Sequence, residues 1–432
     1  MESLSRYKMD LSEEERTILI GNQGEIRRKA LESVVLYGEA FNAKKLVPID
    51  SDGHLVISVA VNVIEPYLEM VNELIDAGLQ TSKPFTVDPR PIEYDNVKSN
   101  LLQRILFKLI FGKQEAYEQK LIELGLKNKN AFTCTGYLPE VGNIPKKGDV
   151  LAWSESSAVV FVNSVLGART NRNSAGIDLL CNIVNKVPLF GLLTDEGRRS
   201  RWLFEVKTSV LPNAQLLGSA IGMRVVEDVP YIVGLNKFFI QGLNEASIDY
   251  LKDMGAAAAS SGAVGLYHVE NMTPEALEFK RDLLVNGYQK YIIDDSELKR
   301  VMQSYSVLWK RKKARPYRCF IGCPHLSFQQ ILWWSQQISQ ALESLKLEQL
   351  KVDTILCAAP DVLERFKQRQ DRFEQLTAAG VKLTSICPLM YMSNPLTEKK
   401  PVITNSNKLR TYSSARFFLD ERILEIICRG YL

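Results

Sequence analysis

The chain has 432 residues, 46% hydrophobic and 24% charged, with a formal net charge of +4. That length exceeds one compact core and predicts two or three domains, while so small a net charge argues neither for nucleic acid nor for a membrane surface. No stretch approaches the ~20 uninterrupted apolar residues of a membrane span, and the N-terminus, Met1-Glu2-Ser3-Leu4 followed by the acidic Glu13 to Glu15, lacks the apolar segment of a secretory signal. Seven cysteines, an odd number in a chain expected to be cytoplasmic, argue against a disulfide framework.

Ser12 lies three residues before Glu15, a capping box that predicts a helix to about Gly21, resuming over 26–41. The apolar, β-branched run 55–63 predicts a strand, and 64–77 has helical spacing with Pro66 in the first turn. Residues 96–126 predict one or two charged helices, with Leu102, Ile105, Leu106, Leu109 and Ile110 on one side. From Phe132 to Arg172 periodicity weakens and small polar residues become dense. The apolar run 158–165 predicts a buried strand, beside which loops tend to carry binding groups. A helix over 177–185 and a strand over 187–193 follow. The small-residue stretch 256–265 suits either close helix–strand packing or approach of backbone to a ligand. Thr273-Pro274-Glu275 predicts a helix reaching Val285.

The basic run Lys310 to Arg315 reads as a solvated linker rather than a nucleic-acid patch. Beyond Pro316 a strand over 318–322 leads to a helix capped by Ser327 and Gln330. A strand over 352–357 leads to a helix capped by Asp361 and Glu364 and stopped by Gly380, and a strand over 381–386 follows. This alternation implies a parallel sheet with helices on its faces. The expected division is 1–130, helical and α/β; 131–315, a central α/β unit with Ser/Asn/Arg-rich loops; and 316–432, a C-terminal α/β unit.

Cys323 and Cys387 each end a strand and precede a proline. In parallel α/β sheets ligands bind beyond the carboxyl ends of strands, so both thiols are expected in one crevice. Cys134, among hydroxyls, is a third candidate ligand; Cys181, Cys319, Cys357 and Cys428 fall in apolar patterns and read as packing. No CxxC pair is present, which excludes common zinc-ribbon and ferredoxin spacings. Three separated thiolates can still hold a cubane cluster with one iron open as a Lewis acid. Asn163, Ser164, Arg169, Thr170 and Arg172 form a polar run whose two arginines suit either capture of carboxylate or phosphate or structural ion pairing, and Arg198 and Arg199 extend the same choice. Ser156 and Ser157 offer hydroxyls, and Asn405, Ser406 and Lys408 offer amide, hydroxyl and ammonium. His325, two residues beyond Cys323, is a candidate proton carrier or donor to a substrate oxygen. His54 has Asp52 nearby, and His268 reads as structural. No Ser-His-Asp order, Walker loop or strand-following GxGxxG is present, so hydrolase, NTPase and dinucleotide functions lack motif support.

The runs Ala152-Trp153-Ser154-Glu155-Ser156-Ser157-Ala158-Val159-Val160 and Asn163-Ser164-Val165-Leu166-Gly167-Ala168-Arg169-Thr170-Asn171-Arg172 resemble the signature of aconitase X. So do Cys134-Thr135 with Tyr137, Gly322-Cys323-Pro324-His325-Leu326-Ser327, the Cys387 turn, and Asn405-Ser406 with Lys408. The resemblance implies an aconitase-like fold of three α/β/α domains with mainly parallel sheets, lacking the swivelling domain, which would be a separate small subunit in a heterodimer. It implies a hydro-lyase acting on a small anionic hydroxy acid, such as 5-phosphomevalonate or cis-3-hydroxy-L-proline. It also implies an iron–sulfur cluster (4Fe-4S, with 2Fe-2S or mononuclear iron as alternatives) on Cys134, Cys323 and Cys387. By analogy with aconitase, the proton-removing serine would come from the small subunit. Gly136, Asn173-Ser174-Ala175, 194–199 and the loop 84–91 depart from the family's usual residues, so the resemblance leaves the substrate open. The alternative expectation is a non-catalytic relative that binds a small anion or a partner on the same scaffold.

Overall fold

In the computed structural model, which describes residues 5–58 and 65–432, the chain folds as α/β units with mainly parallel sheets. The N-terminal unit is built on helices Glu13–Leu19 and Glu25–Ala40, the first held by the expected reciprocal cap between Ser12 and Glu15. Strand Gly53–Leu55 pairs in parallel with Phe85–Val87. Leu46–Pro48 pairs antiparallel with Lys186–Pro188. That pairing carries the N-terminal core past the expected break at residue 130, and one apolar cluster runs from Tyr7 to Leu193.

The second unit holds four parallel strands in the order His268–Val269, Pro230–Val233, Ser200–Val206, Leu284–Ile293. Helices Ala214–Val225 and Glu245–Ser261 pack in close contact: a side chain at Gly218 or Gly222 would collide with the carbonyl oxygen of Met254 or Ala258. The small residues at 256–265 therefore serve close packing, here of helix on helix. The third unit holds five parallel strands in the order Val381–Thr384, Asp353–Ala358, Arg318–Leu326, Val402–Thr404, Arg416–Phe417. Its core is continuous with that of the second unit.

Several elements differ from their sequence-based expectation. Residues 158–165 are not a strand: a helix, Ser156–Phe161, runs into a single π-helical turn, Val162–Leu166. A helix buried on every side has no polar face and thus no helical period to read. The strand expected over 187–193 stops at Pro188, and the helix expected to reach Val285 ends at Glu278, with a strand beginning at Leu284. Asp361 does not cap its helix, which begins at Pro360; its carboxylate accepts from Asn130 Nδ2 at 2.6 Å. In the apolar run 55–63 only Leu55 is in a strand, and 59–63 lie outside the described residues. Helices Glu65–Asp76, Leu101–Phe111 and Gln114–Leu124 occupy the helical patterns expected there.

The central strand Arg318–Leu326 carries the feature that shapes the site. It pairs with Asp353–Ala358 up to Leu356↔Ile321, then resumes at Ala358↔Leu326, so residues 322–325 bulge out of the ladder. Gly322 begins the bulge at φ +105°, where a side chain would strike the Cys357 carbonyl oxygen. Gly322→Ala is expected to destabilise the protein by at least ~2 kcal/mol in denaturant unfolding. Gly242→Ala, at φ +65° with open space around it, is expected to cost about 1 kcal/mol or less.

A candidate thiol-lined active site

Three loops meet beyond the carboxyl ends of the C-terminal strands. The bulge delivers Cys323. Cys387 is the N-cap of helix Pro388–Met392, and its amide donates to the Arg90 carbonyl at 2.8 Å. Cys134 follows Thr133, whose amide donates to the Val87 carbonyl at 2.7 Å and so extends the N-terminal strand pair. All three thiols line one cavity of about 370 Å³, together with Glu155, Lys408 and Arg172. His325, Ser156, Asp88 and Asn173 complete much of the rest of its wall.

Burial pushes the thiols up, Cys134 and Cys387 to about 12 and Cys323 to about 11, so all three are protonated near neutral pH. Glu155 and Lys408 are hydrogen-bonded to each other, their side chains 6% and 12% exposed. Burial alone would lift the carboxyl and depress the ammonium. Pairing overrides it on both sides: Glu155 lies below the usual carboxylate value and Lys408 above the usual lysine value. The second Glu155 oxygen accepts from Ser157 Oγ and from the Ala158 amide, each at 2.7 Å, which starts the helix at Ser156. Asp88 accepts from the Ser58 amide at 2.9 Å and hydroxyl at 2.8 Å, yet burial still raises its carboxyl to about 6.

The His325 ring is fully buried, and burial lowers it to about 4, so it is neutral. Nε2 lies 3.2 Å from the Ile386 carbonyl oxygen and Nδ1 lies 3.0 Å from Thr133 Oγ1. A carbonyl can only accept, which puts the proton on Nε2 and leaves Nδ1 to accept from the Thr133 hydroxyl. Both ring nitrogens are thus occupied within the protein. That arrangement argues against the proton-carrier role expected from the sequence.

The structure divides the other candidate residues. Ser156 and Lys408 face the cavity, and Arg172 stands exposed at its edge, with one long contact of 3.5 Å to the Ala259 carbonyl. Ser157 donates to the Glu155 carboxylate instead of lining the cavity. Asn163 donates to the carbonyls of Thr170 and Gly265, at 2.8 and 2.9 Å, and accepts from the Thr170 amide. Ser164 accepts from the Tyr267 amide, and Thr170 bonds the Asn171 carbonyl. Arg169 pairs with Asp195 at 2.5 Å and Arg198 with Glu275 at 2.7 Å, so both take the structural branch of the expectation. Arg199 bonds the Leu284 carbonyl at 3.3 Å. Asn405 bonds Asp420 at 2.8 Å, and Ser406 caps helix Asn407–Tyr412 while donating to the Cys323 carbonyl. His54 is buried against Trp153, with Nδ1 2.8 Å from Thr86 Oγ1, and does not line the cavity. His268 bonds the Arg198 carbonyl. Cys181, Cys319, Cys357 and Cys428 are buried and free. Glu155 and Asp88 were not among the candidates. The available signal for Glu155 was its position three residues before Ala158, where a carboxylate can cap a helix.

These features define an α/β protein of several parallel-sheet units whose cleft is walled by thiols and a buried ion pair. Models of the aconitase X first, second and third domains match residues 8–196, 201–303 and 318–423. The phosphomevalonate dehydratase large subunit of Thermococcus kodakarensis is 32% identical over 353 residues, 81% of each chain. That of Methanocaldococcus jannaschii is 30% identical over 413 residues, 94% of this chain and 95% of the relative. The crystal structure of Thermococcus kodakaraensis aconitase X in its holo-form superposes with a TM-score of 0.79 at 28% identity, covering 98% of this chain and all of that one. The chain belongs to the aconitase X family.

The ion pair yields a test. Lys408→Met strands a buried carboxylate and is expected to cost about 3–5 kcal/mol in denaturant unfolding, whereas the double variant with Glu155→Gln recovers most of that loss. Equal destabilisation by the single and double variants would contradict the buried pairing.

Proposed function

We propose that this chain is the large subunit of a dehydratase that removes water from a small anionic hydroxy acid in the thiol-lined cavity. The observation that carries the reading is the convergence of Cys134, Cys323 and Cys387 on one cavity with Lys408 and Arg172. The relatives' names support both the reaction class and a small-subunit partner. No helix among the described residues is long and apolar enough to cross a membrane.

The residues present fit an iron–sulfur group. Three soft thiols line one cavity. An all-thiolate donor set suits an iron–sulfur cluster, with Cys134, Cys323 and Cys387 as its ligands. When bound, such a cluster supplies a Lewis-acidic iron that can polarise a substrate hydroxyl. Loading must displace the thiol protons that burial holds in place, so uptake of the cluster releases protons and strengthens as pH rises.

The remaining chemistry falls to charged groups of this chain. Arg172 at the cavity edge offers a forked donor to a carboxylate or phosphate. Lys408 Nζ, kept charged by Glu155, is a fixed cation for a second anionic group or for the departing hydroxyl. Asp88 and Ser156 offer a carboxyl and a hydroxyl to the substrate's polar groups. Two cations facing one small cavity suit a substrate with two anionic ends, and 5-phosphomevalonate has that character.

The test is turnover of 5-phosphomevalonate and of cis-3-hydroxy-L-proline by the chain purified without oxygen together with its small subunit, followed by mass spectrometry for loss of one water. Dehydration of 5-phosphomevalonate is expected, and failure to turn over either compound in iron-loaded protein would oppose the reading. Arg172→Ala is expected to raise KM by about 10–100-fold, the loss of one charged hydrogen bond of ~1.5–3 kcal/mol, with a smaller effect on kcat.

A further inference from the structure

We propose that His325 is the positioning residue that sets the spacing of the three thiols, an inference that rests on the cavity being a metal-cluster site. Its contacts reach each thiol-bearing loop. The His325 amide donates to Cys134 Sγ at 3.2 Å. On one edge of the ring, Nδ1 engages Thr133, the residue before Cys134, at 3.0 Å. On the other, Nε2 engages the carbonyl of Ile386, the residue before Cys387, at 3.2 Å. Cys323 lies two residues upstream in the same bulge. The His325 carbonyl accepts from Lys252 Nζ at 2.9 Å, and Lys252, 1% exposed, also reaches Gln330 Oε1 at 2.7 Å. One residue therefore ties the N-terminal loop, both C-terminal loops and helix Glu245–Ser261 of the second unit.

The demand is for a rigid side chain that accepts on one edge and donates on the opposite edge across a fixed span. Only the Nε2-protonated imidazole meets it here. Groups that orient ligating side chains control metal affinity nearly as strongly as the ligands do. Glutamine can place an amide donor near the Nε2 position and keep the Ile386 tether. Asparagine reaches only the Thr133 side. Alanine releases both. Thr133→Val removes the hydroxyl partner of Nδ1, and with it the contacts to the Thr135 amide at 3.1 Å and hydroxyl at 2.9 Å, without substituting His325 or any thiol.

The experiment compares wild type, His325→Gln, His325→Asn, His325→Ala and Thr133→Val as full-length chains. Each is purified without oxygen, loaded with ferrous iron and sulfide, and checked for folding by circular dichroism. Bound iron and sulfide are measured with the electron paramagnetic resonance spectrum of the reduced protein, and kcat and KM are measured across pH. Iron affinity is expected to fall by about 10–100-fold in His325→Ala, with a shifted spectrum in Thr133→Val and His325→Asn and partial recovery in His325→Gln. Wild-type iron content and spectrum in folded His325→Gln and Thr133→Val would overturn the inference. So would a kcat loss in His325→Gln with an unchanged cluster and a missing limb of the pH profile, the mark of a proton carrier. If the His325 variants do not fold, the Thr133→Val spectrum decides, read against Thr135→Val, which removes the hydroxyl contact between Thr133 and Thr135 and leaves the His325 contact in place: a shift of the same size in both variants overturns the inference. Wild-type chain that takes up no iron would instead remove the cluster reading on which this inference rests.

Discussion

Three thiols can share a cavity only if the three backbones that carry them are held together while their polar groups are buried, and burial without partners is costly. Here the partners are supplied almost entirely by main chain and short side chains. The Cys387 amide reaches Arg90, the Cys323 carbonyl takes the Ser406 hydroxyl, and Cys134 receives the His325 amide. Arg90 is itself fixed by a two-pronged pair with Glu118 and lies 3.8 Å over the Phe132 ring, two residues from Cys134. The Glu155–Lys408 pair closes the other side, joining the helix start at Ser156 to the first turn of helix Asn407–Tyr412 in the C-terminal unit. A buried pair of this kind contributes little net stability, but removing one partner is expensive. It therefore enforces how the two halves meet.

The placement of Cys323 and Cys387 was readable because parallel-sheet logic is simple. A strand followed by a helix directs its carboxyl end toward the ligand crevice; Cys387 lies beyond such an end, whereas Cys323 reaches the same crevice from a bulge within strand Arg318–Leu326, which runs four residues past the expected end at 322. The caps at Ser12 and Ser327 were readable for a similar reason, since a fixed spacing of three residues has one structural consequence. What escaped was set by tertiary contacts. The run 158–165 is a helix because Glu155 caps it and apolar partners surround it, and neither fact leaves a periodic mark in the sequence. Arg169 and Arg198 look identical to substrate-binding arginines until Asp195 and Glu275 are seen beside them. His325 lay next to a candidate ligand, but its two occupied ring nitrogens belong to residues far away in the chain.

The cavity's balance of charge separates holding a substrate from reacting with it. Lys408 is deep, paired and rigid, while Arg172 is at the edge and nearly free. A paired cation inside and an exposed one at the edge suit a ligand that is steered in by one end and oriented by the other. Asn173 and Asp88 stand in the same wall.

Iron K-edge X-ray absorption of the protein prepared without oxygen, with its small subunit present, addresses the central claim most directly. The account predicts a first shell dominated by sulfur with an iron–iron vector beyond it, both lost when Cys134, Cys323 and Cys387 are changed together to serine. A first shell of only nitrogen and oxygen, or a sulfur shell that survives the triple change, would contradict it.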